Sequence, residues 1–261
     1  MKLGAALFAL ALLTGCAGGL HIDERHRAAS QGPRVDLLVI HYTALDFVDS
    51  LRVLTQQVVS SHYLVDIDPP TIYRLVDEDR RANHAGVSAW ERRTLLNTSS
   101  IGIEIVNMGY VDTADGRRYT PYPPQQIDAV VKLVRDIVRR WNIPKERVVG
   151  HADIAPGRKQ DPGPMFPWKR LADEGLALWF DEARAAALQP RFDAELPPLA
   201  WFQHRLAQLG YLVPLNTPPG SPVDTATRDV LVSFQMRFRP ARYDGAPDAQ
   251  TAAILAALTT P

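Results

Sequence analysis

Val35-Asp36-Leu37-Leu38-Val39-Ile40-His41-Tyr42 holds a brief, β-branched apolar run that gives way to a histidine, His41. Following the polar stretch from Gly18 to Arg34, it reads as a buried strand. Further on, Ile101, Ile103 and Ile105 alternate with Gly102, Glu104 and Val106. A strand there puts three isoleucines on one face and Glu104 on the other. A carboxylate in so apolar a strand needs a reason. A third run, Val148-Val149-Gly150-His151, is a short strand that again ends in histidine.

The segments between these strands complete an α/β pattern. Ile127, Val130, Val131, Val134, Ile137, Val138 and Trp141 recur at helical spacing, so Gln125 to Trp141 predicts a helix with one wide apolar face, stopped by Pro144. Leu51 to Ser60 is expected to be helical, with strands at His62 to Ile67 and Thr71 to Val76 joined by Asp68-Pro69-Pro70. From His151 to Trp168 the chain carries Pro156, Gly157, Pro162, Gly163, Pro164 and Pro167, too many breakers for a helix or central strand. A rigid, shaped loop is expected. Helical spacing returns from Asp173 to Leu188 and stops at Gln189-Pro190; a domain boundary falls near residue 195.

Composition bounds the function. At 261 residues, two domains are expected. Lys plus Arg and Asp plus Glu number 29 each, so no global field draws a polyanion and nucleic acid is not an expected partner. Hydrophobic residues at 46% and charged residues at 22% exclude a disordered or fibrous chain. Cys16 is the sole cysteine, so any metal site must use histidines and carboxylates.

Strand-terminal His41 and His151, with Asp161 on the breaker-rich loop, have the donor set of a catalytic zinc: two neutral imidazoles and a carboxylate, leaving a fourth position for water. Glu104 is placed to accept a proton from that water, and Lys159 to hold a developing oxyanion. His62 and His84 are the rival ligands. His62 stands in a predicted strand as a structural histidine, and His84 sits in the turn-like Asn83-His84-Ala85-Gly86.

His41-Tyr42-Thr43, Asn83-His84-Ala85-Gly86, Ser100-Ile101-Gly102-Ile103-Glu104 and the run from Val149 to Gly163 together resemble the type 2 N-acetylmuramoyl-L-alanine amidases, whose fold is shared with peptidoglycan-recognition proteins. The resemblance covers about residues 34 to 185. It implies a mixed central β-sheet flanked by helices, with zinc in a surface groove on His41, His151 and Asp161, and Glu104 and Lys159 as catalytic groups. Tyr42, Asn83, His84 and Ala152 are the candidate substrate contacts; Tyr42 and Trp90 either line the groove or pack in the core. The implied activity is zinc-dependent hydrolysis of the amide joining N-acetylmuramic acid, ordinary or anhydro, to L-alanine. Two rivals stay open: non-catalytic peptidoglycan recognition, and a zinc peptidase acting within the stem peptide.

Leu199 to Leu258 predicts three short helices and resembles a peptidoglycan-binding module, through Leu209-Gly210-Tyr211, Val223-Asp224-Thr225, Ser233-Phe234-Gln235 and Asp244-Gly245. Asp224 or Thr225 is expected to cap the second helix and Asp248 the third. At the other end, Leu3 to Leu13 is an apolar run of 11 residues that rises only about 16 Å as a helix, about half a bilayer core. It reads as a signal peptide. Leu13-Thr14-Gly15-Cys16 resembles the bacterial lipobox, which implies lipidation at Cys16; Ala17 after it favours an outer-membrane lipoprotein facing the periplasm. The expected organisation is leader 1–16, tether 17–34, catalytic domain 35–188, linker 189–198 and helical domain 199–261, in a monomer that meets peptidoglycan or muropeptides.

Overall fold

The computed structural model describes residues 22–114 and 116–260, so the expected leader and Cys16 lie outside the described residues. These form two units: residues 22–32, without regular secondary structure, and the body from Pro33 onward. In the body, β1 (Leu37–Tyr42) is followed by α1 (Phe47–Gln56), β2 (Tyr63–Val65), β3 (Ile72–Arg74), β4 (Ala89–Trp90), β5 (Arg93–Thr94) and β6 (Ser100–Ile105). Next come β7 (Tyr110–Thr113), β8 (Gly116–Tyr119), α2 (Pro124–Trp141), β9 (Val148–Gly150) and the one-turn α3 (His151–Ile154). The helices α4 (Trp168–Ala172), α5 (Glu182–Ala194), α6 (Leu199–Leu209), α7 (Thr225–Phe238) and α8 (Ala249–Thr259) complete the chain. Among the described residues no helix is long and apolar enough to cross a membrane.

The central sheet is mixed, in the order β3-β2-β6-β1-β9. β1 lies between β6 and β9 and runs parallel to both, β2 is parallel to β6, and β3 alone runs antiparallel. One face carries Leu38, Ile40 and the three isoleucines of β6, packed against Ile127, Val130, Val134 and Ile137 of α2. The opposite face carries Leu37, Val39 and Val149, which belong to one apolar core with Phe202, Leu206, Val230, Phe234 and Leu255 of α6 to α8. Apolar contact is therefore continuous from the sheet into the C-terminal helices. Asp224 and Asp248 cap α7 and α8, accepting from the N–H groups of Thr227 and Thr251.

Four boundaries differ from the sequence reading. α1 starts at Phe47 because Asp46 caps it, accepting from Asp49 N–H. The helix expected over Asp173–Leu188 splits: the chain turns at Gly175, in the left-handed region at φ 72°, and α5 begins only after its cap Asp181. α5 then runs through Pro190, because burial of Phe192 beside Trp201 carries its last turn. Finally, the loop from His151 opens with α3, since its first breaker, Pro156, lies beyond that turn.

Candidate metal and catalytic site

Parallel pairing brings the site together at the carboxyl edge of the sheet, where ligand sites of α/β sheets form. His41, next to last in β1, pairs in register with Glu104 of β6, so both side chains rise from one face. His151 follows β9 directly, on the other side of β1. The breaker-rich loop then folds back, and Ala152 N–H donates to the Asp161 carbonyl at 2.8 Å, which returns Asp161 to the histidines. His41 Nδ1, His151 Nδ1 and Asp161 Oδ2 form a triangle with edges of 2.9, 3.1 and 3.0 Å, and all three residues are buried.

The hydrogen bonds behind this triangle set the tautomers. Ser100 Oγ donates to the Leu96 carbonyl at 2.6 Å, so toward His84 it acts as acceptor, taking Nε2–H at 3.2 Å. His84 Nδ1 is then the acceptor for His41 Nε2–H at 3.0 Å, leaving a lone pair on His41 Nδ1. His151 Nε2–H donates to the Ala85 carbonyl at 3.1 Å, leaving a lone pair on its Nδ1 as well. Two lone pairs and a carboxylate oxygen pressed together at about 3 Å repel unless a cation joins them. A tetrahedral ion with bonds of about 2.0 Å sets its ligands about 3.3 Å apart, so the donor set fits a metal.

The electrostatics agree. Burial, reinforced by His151, lowers His41 to a pKa of about 4, which keeps the imidazole neutral at physiological pH. Burial also holds His84 well below the usual histidine value. For Asp161, burial acts to raise the pKa, but His151 and His41 outweigh it and hold the carboxyl far below its usual range. Glu104 goes the other way: burial and then Asp161 push it up to about 8, against the pull of Lys159. Its Oε1 lies 4.0 Å from His41 Nδ1, and its Oε2 is buried without a hydrogen-bond partner. A cation in the triangle would draw Glu104 back toward its ionised form.

One cleft is lined by Tyr42, Asn83, His84, Glu104, His151, Lys159 and Asp161. Lys159 N–H donates to the Ala155 carbonyl at 3.0 Å, while its ammonium makes no hydrogen bond or ion pair among the described residues and lines the cleft, where it can meet a charge. His62 is not a ligand: its Nδ1 accepts Gly102 N–H at 3.0 Å and its Nε2 meets the Arg80 carbonyl. His84 holds His41 from behind while lining the cleft. Ala152 is buried against Tyr119 and Met236, away from this lining, because its N–H is tied to the Asp161 loop. Trp90 is also buried, its ring 4.9 Å from that of Tyr211.

Sequence reasoning missed the groups behind the ligands. Ser100 shares the face of Gly102 and Glu104, and period-two alternation was the signal that could have found it. Gly102 makes room for His84, since a Cβ there would stand 2.6 Å from the imidazole Cγ. Asn97 Oδ1 accepts the N–H groups of His84 and Ala85, and Arg158 donates to the Ala85 and Val87 carbonyls. Neither carries a local sequence signal.

Comparison with known proteins agrees with this architecture. A family model for N-acetylmuramoyl-L-alanine amidase matches residues 31–164, and one for a peptidoglycan binding domain matches residues 196–255. The N-acetylmuramoyl-L-alanine amidase AmiD of Escherichia coli is 44% identical over 95% of this chain and 93% of its own length. The 1,6-anhydro-N-acetylmuramyl-L-alanine amidase AmpD of Enterobacter cloacae is 33% identical over 54% of this chain and 70% of its own. Among solved structures, E. coli AmiD in complex with anhydro-N-acetylmuramic acid-L-Ala-D-gamma-Glu-L-Lys superposes with a TM-score of 0.82 at 43% identity, covering 92% of this chain and 95% of that one. AmpDh3 of Pseudomonas aeruginosa, in complex with anhydromuramic pentapeptide, gives 0.83 at 42% identity, covering 92% and 98%. With its own mixed sheet, a triangle of donors fit for a metal and near full-length similarity, the chain belongs to the N-acetylmuramoyl-L-alanine amidase family.

Proposed function

We propose that this chain is a zinc-dependent amidase that hydrolyses the bond between the lactyl carbonyl of N-acetylmuramic acid, ordinary or anhydro, and the nitrogen of L-alanine in peptidoglycan or muropeptides. The observation that carries this reading is the convergence of two imidazole lone pairs and the Asp161 carboxylate beside an unpaired Glu104 oxygen in one cleft. His41, His151 and Asp161 would hold the zinc. When bound, the metal acidifies water and polarises the substrate carbonyl. Glu104, as a carboxylate, takes the proton of the attacking water and delivers it to the alanine nitrogen as the C–N bond breaks. Lys159 reaches the same cleft and offsets the negative charge that grows on the carbonyl oxygen. Tyr42, Asn83 and His84 line the space left for the muropeptide.

The wider organisation belongs to the same proposal. Residues 35–188 form the catalytic domain and residues 199–261 a wall-directed module, a reading supported by the peptidoglycan binding match. Leu13-Thr14-Gly15-Cys16 supports a lipid anchor on the outer membrane, with a monomeric enzyme facing the periplasm. Mass spectrometry of muropeptides digested by the chain from Ala17 onward tests the activity. Stem peptides beginning at L-alanine, lost on chelation and recovered with zinc, are expected. Shortened stems still attached to sugar would mean a peptidase, and intact muropeptides beside bound zinc would mean recognition.

A further inference from the structure

α3 carries a metal ligand on a helix of four residues, followed by a loop of prolines and glycines. A single turn has too few hydrogen bonds to hold itself in place. Its support comes from Asp153, two residues after His151 and only 2% exposed. Asp153 Oδ2 accepts Gly150 N–H at 2.8 Å, which fixes the backbone immediately before His151.

The remaining partners of Asp153 come from the C-terminal helices. Arg237 of α7 donates from Nη1 to Oδ2 at 3.0 Å, and the Tyr211 hydroxyl, just after α6, donates to Oδ1 at 2.6 Å. Both are buried, at 5% and 4% exposed. Each is fixed in turn. The Arg237 guanidinium lies 4.0 Å over the Trp168 ring and donates to the Leu178 carbonyl, while Tyr211 packs on Trp90 and the Gly210 carbonyl accepts Glu91 N–H at 2.8 Å. A carboxylate this deeply buried, with both oxygens engaged, has a defined position.

We propose that the C-terminal helices serve the metal site directly: Tyr211 and Arg237 are positioning residues that, through Asp153, hold α3 and with it His151 in ligating geometry. On this account the module is a buttress of the catalytic centre, whatever it binds on its outer surface. The inference rests on the zinc reading above.

The test is zinc affinity of the full chain by chelator competition, in wild type, Tyr211→Phe, Arg237→Gln and Arg237→Lys. Phe202→Leu, in the same core as Tyr211 but at a residue that makes no hydrogen bond to Asp153, is the control for general loosening. Tyr211→Phe removes one hydroxyl and keeps the ring, so it reports even if Arg237→Gln folds poorly. Tyr211→Phe and Arg237→Gln are expected to weaken zinc binding about tenfold, with partial recovery in Arg237→Lys. Phe202→Leu should lower the melting temperature and leave zinc affinity unchanged. Wild-type affinity in both Asp153-contacting variants, or an equal loss in Phe202→Leu, would overturn the inference while leaving the zinc reading intact. No zinc binding by wild type would overturn both.

Discussion

Glu104 sits where two demands meet. Its strand neighbours Ile101, Ile103 and Ile105 build the core, while its own side chain turns to the opposite face, beside His41. Burial and Asp161 favour its proton, and a cation in the triangle favours its loss, so the carboxyl is poised to exchange a proton near neutral pH. Glu104→Gln keeps the shape and removes the base. We expect it to retain zinc at the wild-type stoichiometry and to lose turnover by about 100-fold or more, as read by metal analysis and by release of stem peptide. Unchanged turnover would remove Glu104 from the chemistry.

At the scale of elements, α2 is tied to the sheet by Glu78, whose side chain is 10% exposed. Arg140 and Trp141 of α2 and Tyr63 of β2 all donate to its carboxylate, at 2.8, 2.7 and 2.8 Å. Burial acts to raise its pKa, but these hydrogen bonds outweigh it and bring the value from 4.5 to about 2. A depressed folded-state pKa contributes stability above the unfolded value and loses it as pH falls through the folded one. The melting temperature of wild type should therefore exceed that of Glu78→Gln above pH 4.5, and the gap should narrow toward pH 2. A gap independent of pH would show that folding does not lower the Glu78 pKa. The same scale separates what was legible in the sequence from what was not. His41, Glu104 and His151 stand out because each ends or interrupts an apolar strand, and the breaker-rich loop marks Asp161. Asn97, Ser100 and Arg158 work through contacts to distant backbone that no local pattern announces. The split at Gly175 escaped because a lone glycine leaves the helical spacing around it intact, and the run through Pro190 because burial of Phe192 overrides local propensity.

In the molecule as a whole, Leu37, Val39 and Val149 face Phe202, Phe234 and their neighbours across one apolar core. Composition places a boundary near residue 195, yet apolar contact continues across it. A chain ending at Glu195 would expose that face and lose the three buried phenylalanines Phe202, Phe234 and Phe238, side chains each worth about 3–5 kcal/mol in a core, against a typical margin of about 5–15 kcal/mol. We expect the shortened chain to bind a hydrophobic dye and to lose cooperative melting; a sharp transition at the wild-type temperature would contradict this. If the triangle of His41, His151 and Asp161 holds the proposed zinc, amide hydrolysis depends on one metal ion per chain. Titrating zinc into chelator-stripped protein while measuring release of peptides that begin at L-alanine tests it most directly. Activity should be absent at the start, rise in proportion to added zinc and level off at about one equivalent per chain. Full activity in the stripped protein, or none at any zinc level, would contradict it.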